Sequence, residues 1–177
     1  MNLNRLLSLL IIIVLSFGVN AQTVVVSPVP QSIVWGAKAF DNTTTFTING
    51  ESTADKDAVK LLKSNITTST AGQIQILIGK KGDAAVQDVD SKIPNKPEGY
   101  YLEIKPTQIY VAGADSAGTY YGVQSLLQII ASPEVMQVVI SDYPLVAERG
   151  LVEGFYGNTF SQQDRISQFE FYGKTKM

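Results

Sequence analysis

The sequence predicts an α+β fold, a mostly antiparallel sheet with helices packed on one face, followed by the first β/α unit of an incomplete TIM barrel. Three observations predict it. Short β-branched runs and two helical stripes alternate in the order strand, strand, helix, strand, hairpin, helix, strand. The apolar run Arg149-Gly150-Leu151-Val152 ends in Glu153-Gly154-Phe155-Tyr156-Gly157 and passes through a polar stretch into a new helix, the pattern of a barrel strand, its loop and its crossover. A closed barrel takes roughly 250 residues, and the sequence stops at Met177. One unit fits, so the chain is expected to be the front part of a longer protein.

Residues 1–21 read as a secretory signal. Arg5 supplies the positive region, residues 6–17 a mainly apolar core, and Val19-Asn20-Ala21 a small-residue cleavage site, with cleavage expected after Ala21. The core is shorter than the roughly 20 residues that a membrane span prefers, so no stable membrane insertion is expected once it is removed. The chain has no Cys, hence no disulfide and no lipoprotein acceptor, which suits a bacterial periplasmic or secreted protein.

Val24-Val25-Val26 reads as a short buried strand ended by Pro28 and Pro30, neither of which can donate to a sheet ladder. Residues 44–48 are a second strand, closed by Asn49-Gly50. Ser52-Thr53-Ala54-Asp55 has capping-box spacing, and Ala54, Ala58, Leu61 and Leu62 share the helical face that follows. Residues 74–78 form an apolar strand ended by Gly79, and the polar residues 83–96 a loop or short irregular helix. Residues 100–105 and 108–112 alternate apolar and polar around Pro106-Thr107 and predict a hairpin. Asp115 or Ser116 caps a helix whose stripe of Ala117, Tyr120, Tyr121, Val123, Leu127, Ile130 and Ala131 stops at Ser132-Pro133. Within it Gly118 and Gly122 lie one turn apart, which predicts close approach of the helix backbone to the sheet. Residues 136–140 are the last strand. Asp142-Tyr143-Pro144 then leads out, dividing a domain over residues 22–145 from the start of a second over 146–177.

With a net charge of -2 and, apart from Lys80-Lys81, singly spread lysines, the chain lacks the electrostatic footprint of a nucleic-acid binder. The absence of His removes Ser-His and Cys-His nucleophiles and most zinc sites. No metal and no cofactor is expected; any chemistry rests on carboxylates, Tyr, Lys or backbone groups. No two carboxylates are adjacent, and the nearest, Asp55 with Asp57 and Asp88 with Asp90, read as solvated surface charge.

Pro28-Val29-Pro30, the strand Gln108-Ile109-Tyr110-Val111-Ala112-Gly113-Ala114-Asp115, the Gly118 and Gly122 helix and the exit Asp142-Tyr143-Pro144 together resemble the non-catalytic N-terminal domain, hexosaminidase domain 2-like, that precedes the barrel in bacterial β-hexosaminidases. Val152-Glu153-Gly154-Phe155-Tyr156-Gly157, with Phe171-Tyr172-Gly173-Lys174 and Lys176-Met177 downstream, resembles glycoside hydrolase family 84, the O-GlcNAcase and hyaluronidase-like family. Family 20 enters its barrel with Arg-Gly, an apolar pair and Asp, where this sequence has Glu153.

The resemblance implies a secreted retaining β-N-acetylglucosaminidase acting on a GlcNAc-containing glycan or glycoprotein. In that scheme the substrate's acetamido carbonyl attacks the anomeric carbon to give an oxazoline, the substrate-assisted exception to paired-carboxylate hydrolysis. Two neighbouring Asp residues, one polarising the acetamido group and one protonating the leaving oxygen, need split pKa values. They are expected beyond Met177, so the chain itself is expected to hold no catalytic residue and to be inactive. Gly154 carries over as a substrate-binding residue whose carbonyl approaches a sugar hydroxyl, at the strand end where barrel sites are built. Phe155 is expected to pack; Glu153 and Tyr156 stand open between packing and lining the pocket. Ser161 to Asp164 is a second capping-box spacing, and Ile166, Phe169 and Gly173 share the face expected to pack a first outer helix inward. Two alternatives are a family 20 exo-hexosaminidase, with an Asp-Glu pair further on, and a non-catalytic carbohydrate-binding or interaction module.

Overall fold

A computed structural model of the chain describes residues 26–152, 157 and 159–177. The elements are β1 (Ser32–Asp41), β2 (Phe46–Asn49), α1 (Lys56–Asn65), β3 (Ile74–Lys80), a 3-10 segment (Ala84–Lys92), β4 (Tyr100–Ile104), β5 (Gln108–Gly113), α2 (Ser116–Ile130), β6 (Glu134–Asp142) and α3 (Gln162–Lys174). The strands form one six-stranded sheet in the order β1-β6-β4-β5-β3-β2.

The sheet is mixed rather than uniformly antiparallel. β1, β6, β4 and β5 pair antiparallel, whereas β5 with β3 and β3 with β2 pair parallel. The parallel part follows from connectivity, because the crossover from β2 to β3 is made by a helix, α1, as parallel neighbours require. Alternation along the strands gives the sheet two apolar faces. Ile76, Ile78, Leu102, Ile109, Val111 and Ile140 point to one, where Ala58 and Leu62 of α1 and Val123, Leu126 and Ile129 of α2 cover them. Leu77, Tyr101, Tyr110 and Ala112 point to the other, where Val86 and Val89 of the 3-10 segment and Ile93 make a smaller cover. Both helices thus lie on one face, as predicted, and the polar stretch 83–96 supplies a partial third layer.

Val24 and Val25 of the strand predicted at 24–26 lie outside the described residues, and Val26 is a buried residue in coil; among the described residues the first strand of the sheet is β1. Other local expectations are corrected. α1 is capped by Asp55 and not by Ser52. The Asp55 carboxylate accepts from the amides of Asp57 at 3.1 Å and Ala58 at 2.9 Å, while Thr53 and Ala54 already turn onto the Gly50 carbonyl, so the helix starts one turn later. α2 is capped by Asp115, whose carboxylate accepts from the Gly118 amide at 2.8 Å.

Of the strand and loop expected from Arg149, residues 149–152 are coil and residues 153–156 lie outside the described residues; among the described residues nothing between β6 and α3 is strand. A parallel strand is held by neighbours on both sides, and no described strand pairs with this run. Leu151 is 63% and Val152 99% exposed. α3 does form, with both halves of the Ser161–Asp164 capping box present. Its inward packing does not: Ile166 is 44% and Phe169 69% exposed, and contact with the body of the domain runs through Gly173, where an added Cβ would sit 2.8 Å from the Tyr120 hydroxyl. Among the described residues no helix is long and apolar enough to cross a membrane.

Candidate functional site

Gly154, the predicted substrate-binding residue, lies with Glu153, Phe155 and Tyr156 outside the described residues. What the structure describes is the frame that delivers the chain to that point, built at the corner where β6 ends, β4 begins and the end of α3 returns. Arg149 is fastened there in three ways. Its Nε donates to the Lys176 carbonyl at 3.0 Å and one terminal nitrogen to the Val146 carbonyl at 2.8 Å. The other pairs with the Glu98 carboxylate. The guanidinium also stands 6.0 Å from the centre of the Tyr121 ring. Burial works against its charge, and Glu98 more than offsets this, so its pKa is raised. Glu98 itself adopts a left-handed φ of 60° and donates its amide at 2.8 Å to the Asp115 carboxylate that caps α2. One short Asp thereby ties the helix start to the turn that presents Glu98.

Lys176 makes the second anchor. Its ammonium lies 3.0 Å from Asp142 Oδ2 and donates to the Tyr100 hydroxyl at 2.8 Å. The Tyr100 hydroxyl is then free to donate to Ser125 Oγ, 2.7 Å away. Asp142 Oδ1 accepts from the Gln31 amide at 3.1 Å and the Tyr143 amide at 3.0 Å. Burial pulls the Lys176 pKa down against the pull of Asp142, and pushes that of Tyr100 up, with the Asp142 charge adding to it. A cleft of about 240 Å³ opens beside these groups, lined by Val29, Tyr100, Tyr121, Pro144, Arg149 and Lys176. A larger trough, about 730 Å³, runs between α1, α2 and α3 past Lys60, Tyr120 and Glu170.

This corner can position a segment; it has no paired acids to hydrolyse a glycoside. Asp55 is spent on the α1 cap, Asp90 accepts from the Gly82 amide at 2.7 Å, and Asp88 from the Tyr110 hydroxyl at 3.3 Å. These carboxylates hold local structure and are not simply solvated charge. Among the described residues no cluster of His, Cys, Asp or Glu could hold a metal ion. Glu98, Tyr100, Asp142 and Lys176 were not singled out from the sequence as site residues. Lys176-Met177 and Asp142-Tyr143-Pro144 stood in the sequence only as parts of two separate motifs, and nothing local to Lys176, which follows Lys174 by two positions, points to a partner 34 positions upstream.

The glycosyl hydrolase family 20, domain 2 model matches residues 23–143, and a beta-N-acetylglucosaminidase model matches residues 149–177. The chain is 31% identical over 140 residues to a Beta-hexosaminidase of Porphyromonas gingivalis, an alignment covering 71% of this chain and 18% of that protein. The solved structure of CpGH84B is similar with a TM-score of 0.73 and 30% identity, over 88% of this chain and 29% of that one. An inactive mutant of a GH20 exo beta-N-Acetylglucosaminidase from Vibrio harveyi is similar in fold, with a TM-score of 0.63 at 16% identity over 86% of this chain and 24% of that one. The chain therefore spans less than a third of the length of each of these relatives. The predicted resemblance of the N-terminal part to β-hexosaminidases is borne out, while family 84 enters through a structural neighbour and not through a family model. With residues 23–143 of 177 under one family model, the chain belongs to the glycosyl hydrolase family 20, domain 2 family.

Proposed function

We propose that this chain is the N-terminal portion of a secreted, retaining β-N-acetylglucosaminidase of the O-GlcNAcase type. Residues 1–21 are its signal peptide, 22–145 its non-catalytic domain and 146–177 the start of its catalytic barrel. The single observation that carries this reading is the order of the two family matches, domain 2 over 23–143 and beta-N-acetylglucosaminidase over 149–177, in one chain. Likeness to CpGH84B at 30% identity across both regions supports family 84 over family 20. The substrate is a GlcNAc-containing glycan or glycoprotein. Its acetamido oxygen displaces the aglycone to form an oxazoline, and the Gly154 carbonyl accepts from a sugar hydroxyl, the missing side chain letting the ring come close. The acid and the acetamido-orienting carboxylate lie beyond Met177.

The exposed Leu151, Val152, Phe169 and Phe171 support an unfinished barrel, since isolated apolar residues on a surface are ordinary but a run of them on one segment is not. The test is an assay with 4-nitrophenyl N-acetyl-β-D-glucosaminide. No turnover is expected from residues 1–177, and turnover with a β-configured first product from the longer gene product. A first product of the α configuration overturns the mechanism, and activity of the 177-residue chain overturns the placement of its acids. The family 20 reading is favoured by one observation, the domain 2 match itself; an Asp-Glu pair in place of an Asp-Asp pair downstream decides for it.

A further inference from the structure

Residues 146–152 have no strand or helix of their own, and Leu151 and Val152 are exposed, yet this run leaves the domain from a defined place. Two side chains account for that. The fork of Arg149 spans three acceptors, the Glu98 carboxylate and the Val146 and Lys176 carbonyls, which belong to three separate pieces of chain. Lys176 reaches in turn to Asp142 and Tyr100, so that the start and the end of the 146–177 segment meet on one corner of the sheet. Each acceptor is itself held. Glu98 is fixed by Asp115, Asp142 by two backbone amides, and Tyr100 by Ser125.

We infer that Arg149 and Lys176 are positioning residues, a two-point clamp through which the α/β domain sets where the segment leading to Gly154 stands. Arg149 is committed to this clamp through all three of its contacts. The domain that precedes the barrel thereby takes part in substrate binding without touching substrate. The inference rests on the reading of Gly154 proposed above only for its consequence on binding; the clamp itself is a property of the described residues.

The two parts are tested separately. Amide exchange in residues 146–152 of the whole chain is compared among wild type, Glu98→Gln, Arg149→Lys and the pair Asp142→Asn with Lys176→Met, with residues 100–113 as the internal reference. Arg149→Lys keeps the charge but cannot span three acceptors with one nitrogen. Loss of charge-assisted bonds at a locally opening segment predicts exchange about tenfold faster in 146–152 and unchanged in 100–113. Tryptic cleavage after residue 149 should accelerate in Glu98→Gln and in Arg149→Lys, since the side chain no longer has to be withdrawn. The paired variant leaves no stranded charge, so it remains informative if a single change at Asp142 unfolds the chain. Equal exchange in wild type and all variants overturns the clamp.

For the longer gene product, Glu98→Gln and Arg149→Lys should raise KM for the aryl glucosaminide about fivefold or more while kcat moves less than about twofold, the signature of a displaced binding group. Faster exchange with KM unmoved overturns the positioning role. Faster exchange with no turnover even in wild type upholds the clamp and sinks the glycosidase reading.

Discussion

The Lys176 ammonium closes over the end of β6 against Asp142, with an N–O distance of 3.0 Å, and only 8% of the residue is exposed. A pair this buried gains little over an apolar substitute but suffers when halved, because the surviving charge cannot recover its hydration. Asp142→Asn should therefore cost about 3 kcal/mol, the usual penalty for an uncompensated buried charge. Adding Lys176→Met should return most of it. Urea unfolding of the two variants checks this, and a double variant no more stable than the single would show that the loss came from the Gln31 and Tyr143 amides instead.

The same burial sets a pH dependence. The folded pKa of Lys176 lies below its ordinary 10.5, so between the two values the unfolded chain binds a proton that the folded chain has released. Stability from this group then rises as pH climbs through the lowered value toward 10.5. Tyr100 acts oppositely and later: its pKa is raised above 10.0, so its contribution is full below that pH and is lost only beyond it, as pH rises through the higher folded value. The stability difference between wild type and Lys176→Met, followed from neutral pH upward, should shift in favour of wild type before Tyr100 begins to titrate. A flat difference would place the Lys176 ammonium in water.

Gly118 and Gly122 differ in how much room they have, which separates two predictions. A Cβ on Gly118 would stand 2.0 Å from the Gly99 carbonyl oxygen, a backbone atom that cannot swing away. On Gly122 it would meet Val111 Cγ1 at 3.0 Å, a side chain able to yield by a few tenths of an ångström. Gly118→Ala is expected to cost about 3 kcal/mol, at the upper end of overpacking penalties, and Gly122→Ala about 1 kcal/mol. Thermal unfolding of both variants checks the order, and a smaller loss at Gly118 would mean that α2 slides along β4 without resistance.

That helix was legible because its two glycines, its Asp115 cap and its Ser132-Pro133 stop all point to one element. The hairpin of β4 and β5 was legible for a similar reason, with alternation on both sides of Pro106-Thr107 matched by the observed pairing of Ile104 with Ile109. β1 was not. It contains Gly36 and slips register between Trp35 and Lys38 and again between Lys38 and Phe40, so no period of two survives in its sequence. Most of its residues are exposed, which removes the apolar signal as well. The parallel pairing of β3 with β5 was equally hidden, because it is decided by β4 turning back to the far side of β5, a long-range matter that local patterns do not encode. The corner at Arg149 and Lys176 was hidden for the same reason: Glu98 lies 51 residues from Arg149 and Tyr100 lies 76 from Lys176.

α3 shows what an element looks like when its cap is right and its packing is absent. None of its residues is buried, so its order rests on the Ser161–Asp164 box at one end and the Gly173 and Lys176 contacts at the other. Replacing Phe169 by Ser should change stability by less than about 0.5 kcal/mol, as for other exposed positions, whereas Leu126→Ala, fully buried where α2 packs on the sheet, should cost about 2 to 5 kcal/mol. The Ser161 hydroxyl and amide hold the Asp164 pKa below 3.8, so the box contributes above that pH and is lost as pH falls through the lower folded value. Acid should therefore release α3 before the sheet. In amide exchange followed down in pH, residues 162–168 should lose protection while 100–113 keep theirs, and simultaneous loss would tie α3 to the core more tightly than its exposure allows.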